Sequence, residues 1–111
     1  MRKLALGFLV LALASPLAAA TWKSVPLMDG HCSEKADVMA HPEKHSRSCA
    51  MQCSKAGYGA VIDGKYVSFD ANGNKLVAEA LKSSDKKDHL NVTVTGDMKD
   101  GVIAVSSLKL E

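Results

Sequence analysis

Leu90, Val92 and Val94 alternate with Asn91, Thr93 and Thr95, and the run ends at Gly96. A period of two sends the two sets to opposite faces of a strand, so this stretch commits the end of the chain to a half-buried sheet. Residues 97–101 (DMKDG) then predict a turn. Residues 102–110 (VIAVSSLKL) return as the partner strand, with the alternation blurring at Ile103 and Val105.

A second hairpin is written upstream. Residues 58–62 (YGAVI) and 65–69 (KYVSF) flank Asp63-Gly64, one of the strongest short hairpin signals. Val67 and Phe69 share one face, Tyr66 and Ser68 the other. Residues 70–73 (DANG) predict a turn. Residues 74–83 predict a helix with Leu76, Val77, Ala80 and Leu81 on one stripe. A polar loop follows at 84–88. Near the start, residues 22–28 (WKSVPLM) fit a first strand, with Pro26 at an edge or bend. The order is strand, insert, strand, strand, helix, strand, strand. That is the order of a small five-stranded OB-like, partly open barrel of β-rich α+β class, and a generic α+β roll shares it.

The insert, residues 29–57, holds Cys32, Cys49 and Cys53 and the histidines His31, His41 and His45. Asp29-Gly30 is a turn signal. Residues 33–39 predict one short helix capped by Ser33, with His41-Pro42 breaking it. A second helix is predicted to run to Ala56, with Gly57 just past its end; Ser46 is a candidate N-cap, and His45 or Pro42 could equally open it.

These pieces resemble small exported bacterial proteins of uncharacterised function with an OB-like core. The resemblance rests on Trp22, Asp29-Gly30-His31-Cys32, His41 or His45, Cys49-Ala50-Met51-Gln52-Cys53, Gly57-Tyr58, and the run from Val92-Thr93-Val94-Thr95-Gly96 to Gly101-Val102-Ile103-Ala104-Val105. It covers most of the chain after residue 20 and implies the fold, but no activity. The chain departs from the pattern at Ser33, where a glycine after the cysteine is commoner.

Residues 1–20 read as a secretory signal peptide. Arg2 and Lys3 precede the apolar run 4–13, and Ala18-Ala19-Ala20 supplies small residues before a cut after Ala20. The run is too short to span a bilayer, which takes about 20 residues. The expected mature chain is one domain, residues 21–111, without a membrane anchor and located in the periplasm or secreted. The whole sequence has 14 Lys+Arg against 12 Asp+Glu. Losing Arg2 and Lys3 balances the two, which argues against a nucleic-acid partner.

A domain this small gains from a staple, either metal or disulfide. Cys49 and Cys53 are one helical turn apart, and His45 extends the row. With Cys32 arriving from the first turn, Cys32, His45, Cys49 and Cys53 make a Cys₃His set suited to zinc. Copper fits the same soft donors, with Met28, Met39 and Met51 close in sequence. His31 and His41 are substitutes for His45. Asp29 beside His31 and Cys32 could polarise a histidine in a nucleophile site, but nothing else in the sequence supports a hydrolase.

The alternatives are a disulfide and thiol redox chemistry. Export favours pairing. Cys49 with Cys53 is a poor geometric pair, so Cys32 would bond to one of them and leave a thiol over. Three functions follow: a non-enzymatic metal-binding protein, a disulfide-stapled module binding a small molecule or protein, and a thiol oxidoreductase. Tyr58, Tyr66 and Phe69 are candidates for a stacking platform in the second, with Phe69 also a core candidate. His89 reads as a solvated loop residue.

Overall fold

The computed structural model describes residues 19–111. The signal-peptide reading falls almost wholly outside them. Among the described residues no helix is long and apolar enough to cross a membrane.

Five strands close into a barrel in the order β1-β2-β3-β5-β4. They are β1 (Ala20–Asp29), β2 (Tyr58–Ile62), β3 (Lys65–Phe69), β4 (Asn91–Lys99) and β5 (Val102–Leu110). β1 serves two neighbours in turn. Its first half pairs with β4, from Ala20 opposite Gly96 to Pro26 opposite Asn91. Its last three residues pair with β2, ending at Asp29 opposite Tyr58. The changeover is prepared by a register shift between Trp22 and Val25, where Ser24 takes φ 51°. Such a bulge bends a strand and adds twist, which a strand shared between two sheet edges requires. A short parallel contact, Ser68 opposite Val102 and Phe69 opposite Ile103, closes the other side. The expected five-stranded OB-like order is therefore present.

Both hairpins turn on Asp-Gly. Asp63 and Gly64 have φ 53° and 77°, and Asp100 and Gly101 have φ 54° and 78°. Two consecutive positive φ values match the twist of the flanking strands. The second turn is tighter than the sequence suggests. β4 runs through Asp97 and Met98 to Lys99, which pairs with Val102. Gly96 permits this by lying against β5, where a Cβ would stand 2.2 Å from the Ala104 carbonyl oxygen.

The inward residues of the alternating runs, among them Leu27, Phe69, Val92, Val94 and Ile103, form the core. A helix between β3 and β4 covers one end of the barrel through Val77 and Leu81. It starts at Ala71, not at residue 74. Asp70 caps it, its Oδ1 accepting from the Gly73 amide at 2.9 Å and from the Val105 amide at 3.2 Å. The expected turn at 70–73 is thus the helix's first turn. Gly73 is required there, because a Cβ would stand 2.6 Å from both Phe69 Cβ and Val105 Cγ2.

The insert leaves and rejoins the barrel at one point. The Gly30 amide donates to the Gly57 carbonyl at 2.9 Å, directly beyond the Asp29–Tyr58 pair. Between them the chain makes a 3₁₀ turn (Cys32–Glu34), helix α1 (Ala36–Ala40), a second turn (Pro42–Lys44), α2 (Arg47–Gln52) and a third turn (Ser54–Ala56). The barrel-end helix is then α3 (Ala71–Ser83). The single helix expected over 33–39 is split by Lys35, which is extended. Ser33 does not cap it; its Oγ donates to the Gly30 carbonyl. His41-Pro42 ends α1 as expected, and Ser46 caps α2, accepting from the Cys49 amide at 3.1 Å. α2 stops at Gln52 rather than reaching residue 56. The insert lies against α3 and the loop that follows it. Arg47 Nε donates to the Leu81 carbonyl at 3.0 Å, and Tyr58 Oη donates to the Ala50 carbonyl at 3.0 Å.

Candidate metal centre

Asp29, the last residue of β1, is fully buried. A carboxylate inside a protein needs partners for its oxygens, and the insert supplies both. Oδ1 accepts from the Cys32 amide at 2.8 Å. Oδ2 lies 2.6 Å from His45 Nε2. The first contact is the reason for the Asp-x-x-Cys spacing: a carboxylate reaching the amide three residues on folds the chain into a tight turn and sets Cys32 beneath it. The second clamps the middle of the insert to the end of the first strand.

Asp29, Cys32 and His45 form a buried group whose donor atoms, one from each side chain, lie within 4.8 Å of one another. The His45 side chain is 2% exposed. Its Nδ1 is the one buried side-chain nitrogen or oxygen without a hydrogen-bond partner among the described residues. Burial pushes the Cys32 thiol up to about 11. The negative charge and hydrogen bonding of Asp29 add to this, as do the neighbouring thiols Cys53 and Cys49. Burial and the Asp29 charge likewise raise Tyr58, and push Tyr66 up to about 12. After burial itself, the Asp29 carboxylate is the leading influence on Cys32, Tyr58 and Tyr66, and a negative charge here favours a cation nearby.

Outside the group lies an open cavity of about 410 Å³. Cys32, His45 and Cys49 line it, together with Lys35, His41 and Lys44.

Of the four residues expected as ligands, the fold brings Cys32 and His45 together. Cys49, exposed on α2, faces the same cavity. Cys53 is half-buried at the end of α2 and does not line that cavity, though its charge reaches Cys32. The row expected for His45, Cys49 and Cys53 along one helix is not formed, since His45 precedes α2 and Cys53 follows it. His31 is exposed. His41, also exposed, stands 3.6 Å from Glu43. All three cysteines are free thiols, and no disulfide joins them.

The acid is the member that ligand counting on cysteines and histidines passes over. The sequence suggests Asp29 only beside His31 and Cys32, as part of a nucleophile site; its histidine partner is His45 instead. Tyr58 and Phe69 are core residues, so the three aromatics form no stacking platform. His89 is exposed beside Asp88, as its loop position implies.

One carboxylate, one thiol and one imidazole suit a borderline divalent cation, with oxygen, sulfur and nitrogen donors all within zinc's range. The donors and the charge fit such an ion. Binding would strip the proton from a thiol that otherwise holds it tightly. Family models, curated proteins and solved structures were compared with the chain, and none matches.

Proposed function

We propose that this is a small exported, non-enzymatic protein that binds zinc or copper in its insert. Cys32 and His45 are the inner donors, set in place by Asp29. Cys49, on the wall of the same cavity, supplies further sulfur. The reading rests on one observation: a buried carboxylate, thiol and imidazole converge at the foot of β1, where their donor atoms lie within 4.8 Å of one another. Within that group the buried His45 Nδ1 has no partner, and a cation would supply one. The N-terminal sequence supports export.

Elemental analysis of protein purified from its exported fraction, without added metal, tests the proposal. One zinc or copper per chain is expected, with thiols that resist labelling until a chelator removes it. Metal-free protein in which two cysteines are oxidised to a disulfide overturns it and favours the disulfide-stapled module. Catalytic turnover of a dithiol standard would favour the redox reading instead.

A further inference from the structure

His45 has two ring nitrogens and the fold commits only one. A carboxylate can only accept, so the proton between Nε2 and Asp29 Oδ2 belongs to Nε2. In the neutral ring this leaves the lone pair on Nδ1, which is buried and unpartnered. Two ligands on one tetrahedral zinc, each about 2.0–2.1 Å from it, stand about 3.4 Å apart. Nε2 and Oδ2 are 2.6 Å apart, a hydrogen-bond distance and too short for both to ligate the same ion. Asp29 is also held by the Cys32 amide on its other oxygen, so drawing it onto a metal would undo the turn that positions Cys32.

We propose that His45 binds the metal through Nδ1 together with the Cys32 thiolate, and that Cys49, outside the 4.8 Å group but on the same cavity wall, is drawn in as the third ligand. Asp29 then stays outside the coordination sphere as a positioning residue. This rests on the metal reading above. Three features carry it: the committed Nε2, the orphaned Nδ1, and a cavity whose wall includes His45, Cys32 and Cys49 and neither Asp29 nor Cys53. The carboxylate–imidazole–metal relay is a general way to orient a histidine ligand and raise its basicity. Three protein ligands facing an open cavity leave a coordination position for water or an incoming donor. Lys35 and Lys44 line the same cavity against one acid, Asp37, a balance that suits an anionic one.

The test is long-range ¹H–¹⁵N NMR of the histidine rings in the full-length mature chain, titrated with zinc chloride. Before metal, His45 should show a protonated Nε2 and a pyridine-type Nδ1. At one equivalent of zinc, Nδ1 should leave the pyridine-type range while Nε2 keeps its proton. Asp29→Asn should still bind one zinc per chain, weakened about 10–100-fold, as loss of an outer-shell partner does. With cobalt in place of zinc, Cys49→Ser should halve the thiolate charge-transfer intensity. Metal-induced loss of the Nε2 proton would overturn the inference and make Nε2 the ligating nitrogen, leaving the metal reading intact. Zinc bound with both His45 nitrogens unmoved would also overturn it. Absence of any zinc binding would overturn the metal reading itself. The wild-type spectrum decides even where Asp29→Asn fails to fold.

Discussion

Asp29 serves two partners with its two oxygens, so removing it orphans both. Asp29→Ala leaves the buried Cys32 amide and His45 Nε2 without acceptors. His45→Ala leaves a buried carboxylate with one neutral donor. Leaving a buried polar group unsatisfied costs about 1–3 kcal/mol, more for a charged one, and urea denaturation of metal-free protein should show a loss of at least that size for each. The double variant should be less unstable than the sum, with a coupling above about 1 kcal/mol. Strict additivity would mean the pair contributes little. The Cys32 thiol makes a second prediction through its pKa. In the unfolded chain it ionises near 9.0, and in the fold near 11. Between those values the unfolded state has released a proton that the native state retains, so native stability falls as pH rises from about 9 to about 11. Tyr66 moves the same way, from 10.0 to about 12. The diagnostic is therefore a difference: the gap between wild type and Cys32→Ser should narrow across pH 9–11 in the absence of metal. Parallel curves would refute it. In the same metal-free protein near pH 8, exposed Cys49 should alkylate first and buried Cys32 last.

The elements explain why some of this was readable and some was not. Where one periodicity governs a segment, as at β4 or the Asp63-Gly64 hairpin, the residue pattern and the fold agree, because burial of alternate residues is itself what stabilises the strand. Asp70-Ala71-Asn72-Gly73 is the opposite case. Asp, Asn and Gly favour turns and also serve the first turn of a helix, so local chemistry cannot choose between them. Tertiary contacts decide. Asp70 reaches Val105 as well as Gly73, Asn72 Nδ2 donates to the Val105 carbonyl at 2.8 Å, and Asn74 Oδ1 accepts from the Tyr58 amide at 2.8 Å. The polar start of α3 is thus a set of ties to β5 and β2. Asp70→Ala should cost about 1–2 kcal/mol, toward the upper end for a helix cap, because two amides lose an acceptor. A thermal melt no different from wild type would show that the ties are redundant. In the site, reactive residue types marked Cys32 and His45, but their shared partner Asp29 lies 16 residues from His45 in sequence and no local pattern connects them.

At the scale of the molecule the barrel and the insert are held by different physics. The barrel has continuous ladders, longest between β4 and β5, around an apolar core. The insert has short helices and 3₁₀ turns, and most of its residues are exposed or half-buried. It is fastened at its stem by Gly30 and Gly57, at its middle by Asp29–His45, and at its far side by Arg47 and Ala50. Regions with few buried contacts and short hydrogen-bonded runs open locally at lower cost than the global fold. Metal-free amide exchange should therefore be fast over 31–56 and slow over β4 and β5. A ligand that binds only the closed insert slows its opening by mass action: free zinc at 100 times its dissociation constant adds about 2.7 kcal/mol, or about 100-fold in exchange. That protection should fall on the amides of Cys32, His45 and Cys49 and leave the β4–β5 ladder unchanged wherever it exchanges by local fraying. Zinc that protects both regions equally would mean the insert and barrel open as one unit, and that the three-point fastening already locks the insert before any metal arrives.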